Sequence, residues 1–356
     1  MPHNPRRMSS LPTLLRAAGV TAALVLLTAC RIESAAPSAG PAQAREGAPS
    51  GDVWVYTSMY RHVLDALEPL LKARLPGVQV RWYQAGSEKV ASRLEAERAA
   101  GAVRADLLAT SDPFLYERLA REGALLRYAS PHVLRVPRAL VDLDARYAAL
   151  RLSTMVLVHR KGGPPPPASF AELAQGPWTG RVAIGDPLTS GTAFTWAVFC
   201  DAKHGESFFP GLRQRGAIVA GGNAAVLQKV ESGEADAGVL LLENALAAQA
   251  RGSPLEVVWP TDGAVVIPGP AALFATTPNP VAAKAVVDVL LSPEGQRIIV
   301  EQGDMHAVDP RLGGPRGAAG VSELLERARP WTPELLERGL TQGGAVKERF
   351  RRAFSQ

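Results

Sequence analysis

Five short stretches of the chain, three of them with glycine, are rich in small hydroxyl or amide side chains at points where an apolar run gives way to a helical period. They are Thr57-Ser58, Gly86-Ser87, Thr110-Ser111-Asp112, Ser190-Gly191-Thr192 and Gly221-Gly222-Asn223. The chemistry that such stretches support is anion binding. The first turn of a helix leaves backbone N–H groups unpaired, and the helix dipole places about half a positive charge there. Glycine lets a ligand approach the backbone, and the hydroxyls add donors. Plain helix capping uses the same residue types, so one stretch alone is not diagnostic. Five in one chain point to two or three of them meeting on one ligand, with Ser190-Gly191-Thr192 as first choice because it opens a helix continuing to Ala202.

Acidic and metal-ligating residues add less. Glu243 and Asn244 follow the apolar run Ala237–Leu242, which places a carboxylate either in a cleft or at an exposed helix start. Beside an anion site, Glu243 or Asp112 has the chemistry to receive an ammonium group. Beyond the leader, His62, His132, His159, His204 and His306 show no metal-ligand spacing. The sequence contains no GxSxG, HExxH, P-loop or GxGxxG pattern, so neither catalysis nor a bound cofactor is expected.

These junctions require a scaffold of alternating strands and helices. Val53–Tyr56, Val78–Trp82 and Ala105–Ala109 read as strands, separated by helices over Val63–Arg74 and from Gly86-Ser87 to about Ala100. Asp112-Pro113 caps a further helix to Glu122. A second run contains strands at Leu152–Val158, Arg181–Ile184 and Ala237–Leu242, with helices at Thr192–Ala202 and Asn223–Ser232. The segment Leu255–Ala275 breaks into short apolar pieces at Pro260, Gly263 and Pro268-Gly269, a length suited to strands returning to the first run. Helices at Pro280–Gln302 (interrupted at Ser292-Pro293), Val321–Ala328 and Pro333–Phe354 finish the chain. This alternation means α/β architecture with mainly parallel sheet. The 356 residues, 47% of them hydrophobic, suit two lobes in one chain. Three of the bases behind the net charge of +5 are Arg6, Arg7 and Arg16 of the leader, and no long basic block follows, so nucleic acid is not an expected partner.

Residues 1–29 read as a signal peptide. Basic residues precede the uncharged apolar run Ala17–Ala29, which is too short for the roughly 20 residues of a spanning helix. The run closes on Leu27-Thr28-Ala29-Cys30, which resembles a lipobox and makes Cys30 the lipidation site. Residues 30–51, rich in Ala, Pro, Ser and Gly, read as a disordered tether. Cys200, the other cysteine, then has no partner and is expected as a buried thiol.

From Val53 to Pro310 the chain resembles the periplasmic solute-binding proteins of ABC importers, in the group that includes receptors for ferric iron, phosphonates, sugar phosphates and polyamines. The resemblance rests on Val55-Tyr56-Thr57-Ser58, Arg104–Leu108 with Asp112, and Trp178–Ile184 running into Ser190-Gly191-Thr192. It rests also on Val230–Gly238 and on Leu290–Gln296. It implies the type II two-lobe fold, each lobe a mainly parallel sheet flanked by helices, with a ligand cleft between them. Lobe I would be 52–151 plus about 259–310, lobe II 152–258, and 311–356 a helical tail packing on lobe II. The resemblance places Tyr60 at the first-loop ligand position. Ferric receptors of the group carry adjacent tyrosines where this chain has Leu241-Leu242-Glu243-Asn244. The expectation is therefore a monomeric, lipid-anchored periplasmic protein that closes on a small anionic solute, with an organophosphorus compound first and ferric iron as the alternative. Its partners would be a membrane permease and ATPase, or in a sensor a membrane kinase.

Overall fold

The computed structural model describes residues 47–327 and 332–355. The signal peptide, Cys30 and the tether as far as residue 46 lie outside the described residues, as does Ala328. The described chain begins with β1 (Gly51–Thr57), α1 (Arg61–Arg74), β2 (Val78–Gln84), α2 (Ser87–Ala99), β3 (Leu107–Ala109) and α3 (Pro113–Arg121). The starts of these helices follow from local chemistry. Asp112 accepts the Leu115 N–H at 3.3 Å while Pro113 occupies a first-turn position that needs no donor. Next come β4 (Ala148–Arg160), α4 (Phe170–Ala174), β5 (Val182–Ile184) and α5 (Gly191–His204). The chain continues through α6 (Phe208–Gln214), β6 (Ile218–Val219), α7 (Asn223–Glu231), β7 (Ala237–Leu241) and α8 (Leu242–Ala250). It finishes with β8 (Leu255–Val258), β9 (Val265–Leu273), α9 (Pro280–Leu291), α10 (Pro293–Gly303), β10 (His306–Ala307), α11 (Val321–Arg327) and α12 (Pro333–Phe354).

Among the described residues the strands form one ten-stranded sheet whose main path is β2-β1-β3-β9-β4-β7-β5-β6. At one end β1, β2 and β3 are parallel; at the other β5 is parallel to both β6 and β7. Between them β4 and β9 run antiparallel to each other and to their outer neighbours β7 and β3. This is the expected two-lobed α/β fold, its two parallel halves joined by crossing strands. The first half buries Val53, Val55, Leu64 and Leu67 against the α9–α10 pair. The second is aromatic, with Phe170, Trp196, Phe208 and Phe209 packed edge to face. Cys200 is a free, buried thiol in that core, where burial pushes its pKa well up.

Several features differ from the sequence reading. Strand β4 starts at Ala148, not Leu152, and β9 runs unbroken through Pro268-Gly269-Pro270. The pairing explains how prolines fit there. Pro270 faces Ala149 and Gly269 faces Arg151, so Leu150 is an extra residue bulged out of the ladder. Helix α6 was not anticipated; α8 follows β7 without a linker, so the helix start at Glu243 is buried rather than exposed. Helix α12, expected on the second half only, contacts α5 and α6 there and also α3 of the first half.

Candidate functional site

The carboxyl ends of β1, β3 and β5 and the start of α5 converge on a cleft between the halves, which encloses about 240 Å³. On the first wall three serines meet. The Ser111 N–H lies 3.2 Å from Ser58 Oγ and 3.3 Å from Ser87 Oγ, and the Ser58 N–H donates to the Ala109 carbonyl. On the second wall Ser190 caps α5, accepting the Ala193 N–H at 3.4 Å. Its hydroxyl is 3.2 Å from Thr192 Oγ1, which accepts from the Asn223 amide at 3.0 Å. Gly191 is required by proximity. A Cβ there would stand 2.8 Å from Ser87 Cβ and 3.2 Å from the Ser111 carbonyl, so any other residue would hold the walls apart. Tyr60 closes the cleft from one side by donating its hydroxyl to Asn244 Oδ1 at 2.8 Å.

The floor is charged. Arg151 is 4% exposed and lines the cavity. Its guanidinium donates to Ser153 Oγ at 2.8 Å and Ser58 Oγ at 3.3 Å, and it forms no ion pair among the described residues. Glu243, buried in the first turn of α8, accepts from the Ser153 hydroxyl at 2.8 Å, so one serine separates the two charges. Burial pushes Arg151 below its ordinary pKa and raises Glu243 to about 7, although Ser153 and Arg151 favour its charged form. Tyr60 is held up at about 12, by burial first and then by Glu243, and is therefore a neutral phenol.

Eleven of the residues singled out in the sequence share this cavity: Ser58, Tyr60, Gly86, Ser87, Ser111, Ser190, Gly191, Thr192, Gly222, Asn223 and Glu243. Three are placed elsewhere. Thr57 is buried, donating to the Ala109 carbonyl and accepting from the Met59 N–H, and so shapes the loop that presents Ser58. Thr110 is buried with its N–H on the Tyr116 hydroxyl. Asp112 caps α3 beneath α12, where burial, and then the nearby Glu88, raise its carboxyl to about 6. Arg151 was missed. Its available signal was a lone arginine flanked by Ala148-Ala149-Leu150 and Leu152, a charge inside an apolar strand, which needs a reason to be there. Among the described residues no group of three or more His, Cys, Asp or Glu side chains is placed to hold a metal ion, and no helix is long and apolar enough to cross a membrane.

Two α/β halves on crossing strands, meeting over a polar cleft, define a solute-binding protein. Residues 52–303 match the family described as Bacterial extracellular solute-binding protein, and the chain belongs to that family. The molybdate-binding protein ModA of Mycobacterium tuberculosis is 25% identical over 285 residues, covering 80% of this chain and 95% of ModA. Iron-bound HitA from Pseudomonas aeruginosa superposes with a TM-score of 0.73 at 21% identity, covering 85% of this chain and 99% of HitA. The periplasmic binding protein AfuA from Actinobacillus pleuropneumoniae, with fructose-6-phosphate bound, gives a TM-score of 0.75 at 18% identity, covering 86% and 99%.

Proposed function

We propose that this protein is the extracytoplasmic solute-binding component of an ABC importer, lipid-anchored through Cys30 in the periplasm, and that it closes on a small organophosphorus anion. In this reading the lobes are residues 52–151 with 259–310 and residues 152–258. The protein delivers its solute to a membrane permease and ATPase without converting it. The observation that carries the reading is Arg151, a buried cation at the cavity floor with hydroxyl partners and, among the described residues, no carboxylate in direct contact. A buried charge without a counter-ion is costly, and a bound anion would supply one. The start of α5 adds a half-charge of the same sign and unpaired N–H groups from the opposite wall. The volume of about 240 Å³ lies below the 300–1,000 Å³ usual for drug-sized ligands, which favours a compact solute.

Glu243 narrows the choice. A carboxylate in the wall repels a bare dianion but accepts a hydrogen bond from a hydroxyl or pairs with an ammonium group. Aminoalkylphosphonates and sugar phosphates carry such a group beside the anion. Molybdate, which the similarity to ModA brings forward as a second reading, is a compact oxyanion that would meet Arg151 and the helix start alone. A neutral Tyr60 engaged with Asn244 disfavours direct tyrosinate binding of ferric iron.

Calorimetric titration of the full chain with 2-aminoethylphosphonate, hexose phosphates, inorganic phosphate, molybdate and ferric citrate tests this. The expected result is tightest binding to an organophosphorus compound. Molybdate or iron binding tightly while every organophosphorus compound fails would overturn it.

A further inference from the structure

Helix α12 lies outside the family match, which ends at residue 303. It runs along the line where the two halves touch beside the cleft. Phe114 of α3 and Phe194 of α5, one from each half, meet edge to face with ring centroids 5.2 Å apart. Gly339 and Gly343, one turn apart on α12, lie against that ring pair. A Cβ on Gly339 would stand 1.8 Å from a Phe114 ring carbon, and one on Gly343 2.8 Å from Phe194. The helix fits there only because those side chains are missing.

Lys347 continues the same face by one more turn and touches both halves at once. Its ammonium lies 4.3 Å from the Phe194 ring centroid and 2.8 Å from Glu88 Oε2 in the first turn of α2. Glu88 adjoins Ser87, which lines the cleft. Unpaired, that carboxylate would oppose an anion held at Ser87.

The two ends of this contact differ in strength. On the second half, Arg338 and Arg349 each reach Asp201 at 2.7 Å, and Phe350 packs edge to face on Phe209. On the first half the grip consists of Phe114, the half-buried pair to Glu88, and an exposed pair between Arg121 and Glu337 at 2.9 Å. Exposed pairs contribute little and buried ones resist breaking. The firmer attachment of α12 is therefore to the second half.

We propose that α12 is a latch on the closed cleft, fixed to the second lobe, with Lys347 as the positioning residue whose pair with Glu88 sets how readily the first lobe swings away. The inference rests on the two-lobe hinge reading and is independent of which solute binds. It is tested by small-angle X-ray scattering from the ligand-free full chain. The residues preceding β1 are common to all samples, so differences in radius of gyration report the lobes.

Lys347→Glu should move the open-to-closed ratio about tenfold toward open, the effect of losing a half-buried pair and adding a like-charge repulsion. The radius of gyration should rise. Glu88→Lys combined with Lys347→Glu should return it to the wild-type value, which generic loss of packing would not do. Glu337→Arg, at the exposed pair on the same seam, should open the protein in the same direction by less, and serves if Lys347→Glu does not fold. Unchanged scattering from both Lys347→Glu and Glu337→Arg would overturn the latch. Opening by Lys347→Glu without recovery in the double reversal would overturn the role given to the Glu88 pair. Neither result bears on the anion reading, which stands or falls on titration.

Discussion

At Asp201 two guanidinium groups close directly on one carboxylate, Arg338 and Arg349 each at 2.7 Å. At Arg151 the nearest carboxylate, Glu243, is held off by the Ser153 hydroxyl between them. Both sites are buried, and the consequences for protonation are opposite. Burial alone would raise Asp201, but Arg349 and Arg338 overcome it and hold the carboxyl below its usual range. Burial wins at the other site, lowering Arg151 and lifting Glu243 to about 7. A cluster paired charge to charge acts as a brace between α5 and α12. An unsaturated one at the floor of a cavity keeps its capacity for a ligand.

The largest test of this contrast is Asp201→Asn, which removes the buried charge that two half-buried guanidiniums share and leaves Arg349 only Glu206, at 3.7 Å. Removing one partner of a fully buried pair typically costs about 3–5 kcal/mol, and with the guanidiniums partly solvated urea unfolding should show a loss near the lower end, about 3 kcal/mol, while the folded fraction binds solute as before. A loss under about 1 kcal/mol would mean the brace is dispensable. Arg151→Met should invert the pattern. Hydrogen bonds to charged groups contribute about 1.5–3 kcal/mol each, so titration should show binding weakened about 100-fold, with the ligand-free melting temperature unchanged or raised. Undiminished affinity would remove Arg151 from the site.

The pH dependence sharpens the comparison further. Between the ordinary carboxyl value of 4.5 and about 7, folded Glu243 keeps a proton that the unfolded chain has released. Its contribution to stability is therefore complete below pH 4.5 and is lost as pH rises to about 7. Asp201 runs the other way, its contribution present above the unfolded carboxylate pKa and lost as pH falls through the depressed folded value. At 1.36 kcal/mol per pKa unit, Glu243→Gln should be about 3 kcal/mol more stable than wild type at pH 8 and equal to it at pH 4. Identical unfolding profiles across that range would show that Glu243 does not carry the slope.

The smallest expected effect is at Thr192. Ser190 still caps α5 and a first-turn aspartate suits the helix dipole, but it adds a negative charge facing the anion. Affinity for the identified solute should fall about tenfold, or 1.4 kcal/mol, with little change in melting temperature. Wild-type affinity in Thr192→Asp would reduce Ser190-Gly191-Thr192 to a helix cap.

These residues differ in how visible they were in the chain. Ser58, Ser87, Ser111, Asn223 and the Ser190 stretch announce themselves because small polar residues cluster where strands end and helices begin. Thr57 and Thr110 share that composition yet face inward, since successive strand residues alternate sides. Which of two neighbours meets solvent depends on the register of β1 and β3, which local composition does not encode. Arg151 was hidden for a related reason: its place on the cavity floor depends on the bulge at Leu150, set by pairing with β9 much later in the chain. The bridging by α12 needed Gly339 and Gly343 to find Phe114 and Phe194, contacts between segments far apart in sequence.

That bulge has a mechanical side. Where β9 passes from one half to the other its residues are Pro268, Gly269 and Pro270. Each proline ring fixes its own φ and supplies no N–H to the ladder, whereas glycine rotates freely. The strand is thus stiff, soft and stiff in succession. Gly269 is the residue directly opposite Arg151. The least restrained residue of β9 and the cation at the cavity floor therefore occupy one rung of the sheet.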